Sequence, residues 1–159
     1  MEMWEVAENF LIAYQQGDEI PGGLHYRKAL GQCRLDGSMD SLKRIDMLLD
    51  QIRSKQAPEF DTFRREQPTQ NFLYFLAFYV GNTVAANSGA ELEWWSYDEL
   101  LAQDPGVAAV WPRQFESSIV CRFRKPGSHK QMLPLVPIVV RLFEGPDEKS
   151  VWFSAQGFL

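Results

Sequence analysis

Phe72-Leu73-Tyr74-Phe75-Leu76-Ala77-Phe78-Tyr79-Val80 is the stretch on which the fold turns. It follows Pro68-Thr69 and passes into Gly81. A run this short cannot span a bilayer, which needs about 20 apolar residues. It is apolar on all sides, whereas a surface helix carries a polar face. The reading is a central buried helix from about Thr69 to Ser88, with Gly89 as the residue that ends it. Phe72, Phe75, Leu76, Tyr79 and Thr83 share one face, and Leu73, Ala77, Val80 and Val84 the other. Both faces need partners. Gly81 in mid-helix costs about 1 kcal/mol against alanine. A closely crossing helix or strand would account for it.

Working outward, Trp4, Ala7, Leu11 and Tyr14 recur at helical spacing and predict a first helix over 3–16. Gly17 to Gly23 reads as a turn region containing Pro21. Ser38 is a suitable N-cap for a second helix, in which Leu42, Ile45, Leu49 and Ile52 form one apolar stripe. Asp50 and Arg53 on its polar side are spaced to pair, and Pro58 ends the element.

After residue 90 the character changes. Leu92-Glu93-Trp94-Trp95 reads as a strand. Ser96 with Glu99 is a capping box that opens a short helix to about Gln103. Ser118 to Arg124 alternates, with Ile119, Cys121 and Phe123 on one face and Val120, Arg122 and Arg124 on the other. Pro126-Gly127-Ser128 ends that strand. Pro134 and Pro137 favour a short helix over 133–143, with a strand from Ile138 as the alternative. Val151-Trp152-Phe153 is a last apolar element of open type. The expected fold is a single α+β domain over 1–159, its helical N-terminal half packed on a small C-terminal antiparallel sheet.

The chain has 159 residues, 45% of them hydrophobic and 13% aromatic, as a folded domain does. A net charge of −5 argues against nucleic acid as partner and allows a basic protein. The acidic start, Met1-Glu2-Met3-Trp4-Glu5, is unlike a signal peptide, and no stretch is long enough for a membrane span. The cytoplasm is therefore the expected location, with Cys33 and Cys121 as free thiols. A homo-oligomer is left open.

Motifs for catalysis are missing. His25 and His129 have no Cys, His, Asp or Glu at metal-ligand spacing. The glycines match neither phosphate-binding fingerprint, and there is no Gly-x-Ser-x-Gly elbow. Cys33 with His25 reads as a structural thiol and a loop histidine. Asp46, Asp50, Asp98 and Glu99 read as solvated helix charges before acid–base pairs. No cofactor is expected, and the chain is not expected to be an enzyme.

Charge singles out one segment. Glu91, Glu93, Asp98, Glu99 and Asp104 fall in a stretch without Lys or Arg, interleaved with Trp94, Trp95 and Tyr97. Aromatic anchors among carboxylates suit a docking surface for a basic partner. The partner-binding candidates are therefore Glu91, Glu93, Trp94, Trp95, Tyr97, Asp98 and Glu99. The competing reading puts both tryptophans in the core and leaves the acids as its wet rim. Arg113, Arg122, Arg124, Lys125 and Lys130 follow, and they read as neutralising that acidic segment from within the molecule, with a phosphate-binding patch as the alternative.

Leu35-Asp36-Gly37-Ser38, with Ser41-Leu42, Ile45-Asp46 and Leu48-Leu49, resembles the opening of a loose group of uncharacterised bacterial proteins. In that group an apolar helix of the form A-Y-x-G-E follows, then a tryptophan. Here the second part is Phe78-Tyr79-Val80-Gly81-Asn82, with Trp94-Trp95 downstream. Asn82 stands where the pattern has an acid. The resemblance covers roughly residues 35–100. In size and charge the chain is also similar to bacterial immunity proteins, which block a toxin by occupying its site. The resulting expectation is a non-enzymatic immunity protein that binds a basic toxin or secreted effector. An acidic secretion chaperone or adaptor is the alternative, and a small enzyme with a dispersed site is a third.

Overall fold

The computed structural model describes residues 1–146 and 150–159. In chain order these form α1 (Met3–Gln16), α2 (Arg27–Gln32), α3 (Asp40–Gln56), α4 (Phe60–Arg65), α5 (Gln67–Ser88), β1 (Glu91–Ser96), α6 (Tyr97–Gln103), α7 (Val107–Val110), β2 (Ile119–Lys125), β3 (Ser128–Met132), α8 (Leu135–Phe143) and α9 (Val151–Gln156). A single 3-10 turn, Phe115–Ser117, precedes β2. The strands make one antiparallel sheet of order β1-β2-β3, so β1 and β3 are its edges. The molecule is one α+β domain whose helices pack against this sheet.

α5 is the inner rod. Phe72, Leu73, Phe75, Leu76, Ala77, Phe78, Val80 and Val84 are all essentially sealed from water. Pro68 sits in its first turn, where a missing N–H costs nothing, and Gly89 closes it in the left-handed conformation (φ 71°). α1 covers one side, through Phe10 against Phe78 and Tyr14 against Phe75. α4, α8 and the sheet cover the rest. Phe63 of α4 meets both Phe72 and Phe143 edge to face, and so joins α4, α5 and α8.

Gly81 has the partner that its cost demands. Trp94 points from β1 straight at it, and a Cβ there would lie 2.8 Å from Cζ2 of the indole and closer still to Cη2. The same indole stands edge-on to Phe78, at 5.2 Å between ring centres. Helix and strand interlock at this point.

Polar residues between 36 and 46, together with Tyr79, tie the fold together. The Tyr79 hydroxyl accepts from the Gly37 N–H at 2.9 Å and lies 2.7 Å from the Ser41 hydroxyl. Asp36 holds the turn by accepting from the N–H (3.0 Å) and hydroxyl (2.6 Å) of Ser38. Asp46, buried on α3, accepts from the N–H groups of Val151 (2.7 Å) and Trp152 (3.1 Å). It thereby fastens the start of α9. Burial is the main influence on this carboxyl and pushes its pKa up against the two N–H groups and Arg141.

α3 and α8 are joined by an ion-pair cluster. Arg141 grips Asp50 with two bonds, Nε to Oδ1 at 2.8 Å and Nη2 to Oδ2 at 2.7 Å. Arg53 adds a third at 3.0 Å and also donates to the Arg141 carbonyl. Burial acts upward on Asp50, but the two guanidinium groups together outweigh it and hold its pKa below the usual carboxylate range.

Some details differ from the sequence reading. The Ser38 hydroxyl accepts from Ser41 N–H at 3.2 Å, but the N-cap of α3 is Met39 and regular helix starts at Asp40, which corrects the expected Ser38 cap by one residue. Residues 135–143 are helical, with Pro137 inside the first turn. The last apolar element is the helix α9, capped by the Ser150 hydroxyl. α2, α4, α7 and β3 were not anticipated. Among the described residues, no helix is long and apolar enough to cross a membrane.

Candidate functional site

The pleat of β1 divides the acidic-aromatic segment. Leu92 and Trp94 face α5, whereas Glu91, Glu93 and Trp95 lie on the opposite face beside Arg124, Arg122 and Val120 of β2, where Trp95 packs against a second small core. Trp94 is only 9% exposed and Tyr97 only 6%. Neither is presented as an anchor on the surface, which corrects the expectation for those two residues. Trp94 is consumed by Gly81. Tyr97 is drawn under α6 and α7 into a second small core with Leu100, Val107 and Val120, where its hydroxyl donates to the Trp111 carbonyl at 2.9 Å. Trp95 lies half-buried on the outer face, with the Arg122 guanidinium 5.6 Å from its ring centre.

The acids also have different duties. Glu93 is held from the sheet face by Arg124 at 3.0 Å and Arg122 at 3.8 Å. Gln131 on β3 completes the row, its amide oxygen oriented to accept from Arg122 Nη2 at 2.7 Å. Asp98 pairs with Arg113 at 2.6 Å, both well exposed. Glu99 closes the capping box of α6, and the same oxygen accepts from Met3 N–H at 2.9 Å, which pins the start of α1 to the start of α6. Glu91 and Asp104 are exposed and form no ion pair among the described residues. The basic cluster thus neutralises part of the acidic segment and leaves the remainder negative.

What the sequence did not reveal is a groove of about 690 Å³ along the outer edge of β1. Its floor is formed by Leu92, Glu93, Trp94 and Trp95. Side chains of consecutive strand residues point to opposite faces. A cleft touched by all four therefore looks onto the strand's edge, where backbone N–H and C=O groups face outward. Glu2, the N-cap of α1, and Trp4 form one wall, and Glu99, Ala102 and Gln103 of α6 the other. Trp4 is 49% exposed, and its indole N–H donates to Glu2 at 2.6 Å. Three carboxylates and no Lys or Arg line the cleft. Two buried side-chain polar atoms among the described residues lack a hydrogen-bond partner, Glu93 Oε1 and Trp95 Nε1, and both residues border this cleft.

A second cleft of about 670 Å³ lies between β3, α8 and α9 and is more apolar, with Phe153, Phe158, Val136 and Val140 in its walls. Among the described residues, no cluster of three or more His, Cys, Asp or Glu is arranged to hold a metal ion. His25 packs edge-on against Tyr26, and His129 lies exposed on β3. Cys121 is sealed in the core, where burial raises its thiol far above the ordinary value. Cys33 is half-buried and raised by burial, with Arg44 opposing. Comparison with protein-family models, curated proteins and solved structures gives no match, so the site is read from its own geometry.

Proposed function

We propose that this chain is a non-enzymatic binding protein that takes a basic protein partner at the β1 groove. In its most specific form it is an immunity protein that neutralises a bacterial toxin by direct contact. The observation that carries the reading is the open edge of β1, set between α1 and α6 and lined by Glu2, Glu93 and Glu99, of which only Glu93 is paired with cations, Arg122 and Arg124 on the sheet face. Carboxylates steer a basic partner and select it, while the half-exposed Trp4 and the Leu92 side chain supply apolar contact.

Co-expression tests this function. The chain is expressed with the product of the reading frame next to its own gene. An immunity protein restores growth that the product alone abolishes. Unchanged toxicity, or no toxicity to relieve, counts against it. The apolar cleft around Phe153 (66% exposed) favours a second reading, an adaptor that holds an apolar client segment. An adaptor raises the client's solubility without rescuing growth.

A further inference from the structure

An edge strand with free backbone groups is a template for one more strand. β1 and β3 are the two edges here, and they are treated differently. β3 carries His129 and Lys130, and the Lys130 ammonium is tied to the Gly157 carbonyl at 3.1 Å. A lysine on an edge is a common block to further pairing. β1 has no lysine, and its edge opens into the groove rather than into bulk solvent. Among the described residues, the backbone of 92–95 makes no hydrogen bond outside its ladder with β2. In an antiparallel pair, half of a strand's N–H and C=O groups point away from the neighbour. On β1 those groups line the groove floor.

We infer that the groove binds an extended segment of the partner by strand addition to β1, and that this segment alternates basic and apolar residues. This deepens the proposed function and rests on it. The alternation follows from the pleat, because a strand laid along β1 shares its two faces. Every second side chain falls on the side of Glu91, Glu93 and Trp95, where Glu91 forms no ion pair among the described residues and a basic residue is favoured. The others fall beside Leu92 and Trp94, near Trp4, where an apolar residue is favoured. A second copy of this chain is a poor occupant. It would bring a second set of Glu2, Glu93 and Glu99 to a groove whose lining has no Lys or Arg, and like charges brought together repel.

The test uses the full chain and three synthetic six-residue peptides of alternating lysine and valine. One is unmodified, one is N-methylated on its lysines and one on its valines. Only alternate N–H groups of an added strand reach the template, so one methylated form retains binding and the other loses it. With the unmodified peptide, groove-facing amides among Leu92, Glu93, Trp94 and Trp95 exchange with solvent roughly tenfold more slowly, as a new hydrogen bond requires. Ala102→Trp, at an exposed position on the wall, fills the groove without touching the core and abolishes the slowing. If all three peptides bind the groove equally, strand addition is wrong while the binding site stands. Should none of them perturb the groove residues, the site itself falls. A dimer of the free chain, with these same amides protected, overturns the choice of occupant.

Discussion

Replacing Gly81 by alanine sets two known effects against each other. Alanine in a helix interior is better than glycine by about 1 kcal/mol. The added Cβ, however, would sit 2.8 Å from Cζ2 of Trp94 and nearer still to Cη2. The indole cannot swing away freely, because it is 9% exposed and stands edge-on to Phe78 at 5.2 Å. Overpacking of this kind costs about 1–3 kcal/mol, and the propensity gain offsets about 1 of it, so Gly81→Ala should destabilise the chain by a net of up to about 2 kcal/mol. Urea unfolding followed by far-ultraviolet circular dichroism reads this as a lower midpoint at unchanged slope. In a chain of this size each kcal/mol lowers the Tm by about 2–4 °C. Trp94→Phe is the control. With the larger ring gone, the same alanine should become neutral or stabilising, and the two substitutions should fail to add. The reasoning is refuted if Gly81→Ala raises stability in the parent chain, or costs the same with Phe at 94.

Three further outcomes are expected. Asp46→Ala strands the N–H groups of Val151 and Trp152 and should cost about 1–3 kcal/mol, read by urea unfolding, with exchange at α9 speeded before global unfolding. Asp50→Asn should destabilise at neutral pH. A carboxylate with a lowered native pKa contributes above its unfolded value and loses that contribution as pH falls through the native one. The difference in midpoint between Asp50→Asn and the parent should therefore close below about pH 4. A thiol reagent such as Ellman's should modify Cys33 slowly in the native chain and reach Cys121 only on unfolding, since burial suppresses both thiolates and seals Cys121 completely.

Periodicity sufficed where an element answers to the core. The spacing of Trp4, Ala7, Leu11 and Tyr14 marks α1 with its observed limits, and the alternation in 118–124 marks β2. Gly81 signalled the close approach of a helix or strand, and the neighbour is the strand β1, through its Trp94 side chain. Elements that answer to the backbone alone stayed hidden. β3 reads Ser-His-Lys-Gln-Met, an exposed edge held mainly by its ladder to β2, so its side chains carry no apolar alternation. α2 and α4 are six-residue helices, too short to show a period. The acidic-aromatic segment was visible as composition, but composition does not say which side of a pleat a tryptophan takes. That is why Trp94 and Tyr97 stood among the candidates and proved to be interior. The groove was illegible for a different reason. Its walls come from residues 2–4 and 99–103, which are far apart in sequence and meet because α1 and α6 both pack against β1, with the Met3 N–H donating to Glu99 between them.

The direct test of the account is a calorimetric titration of the chain with the product of the adjacent reading frame, at low and at high salt, repeated with Ala102→Trp. The account predicts tight binding that weakens as salt rises and is lost when tryptophan fills the β1 groove. Binding that ignores both salt and Ala102→Trp would place the partner elsewhere on the molecule and contradict it.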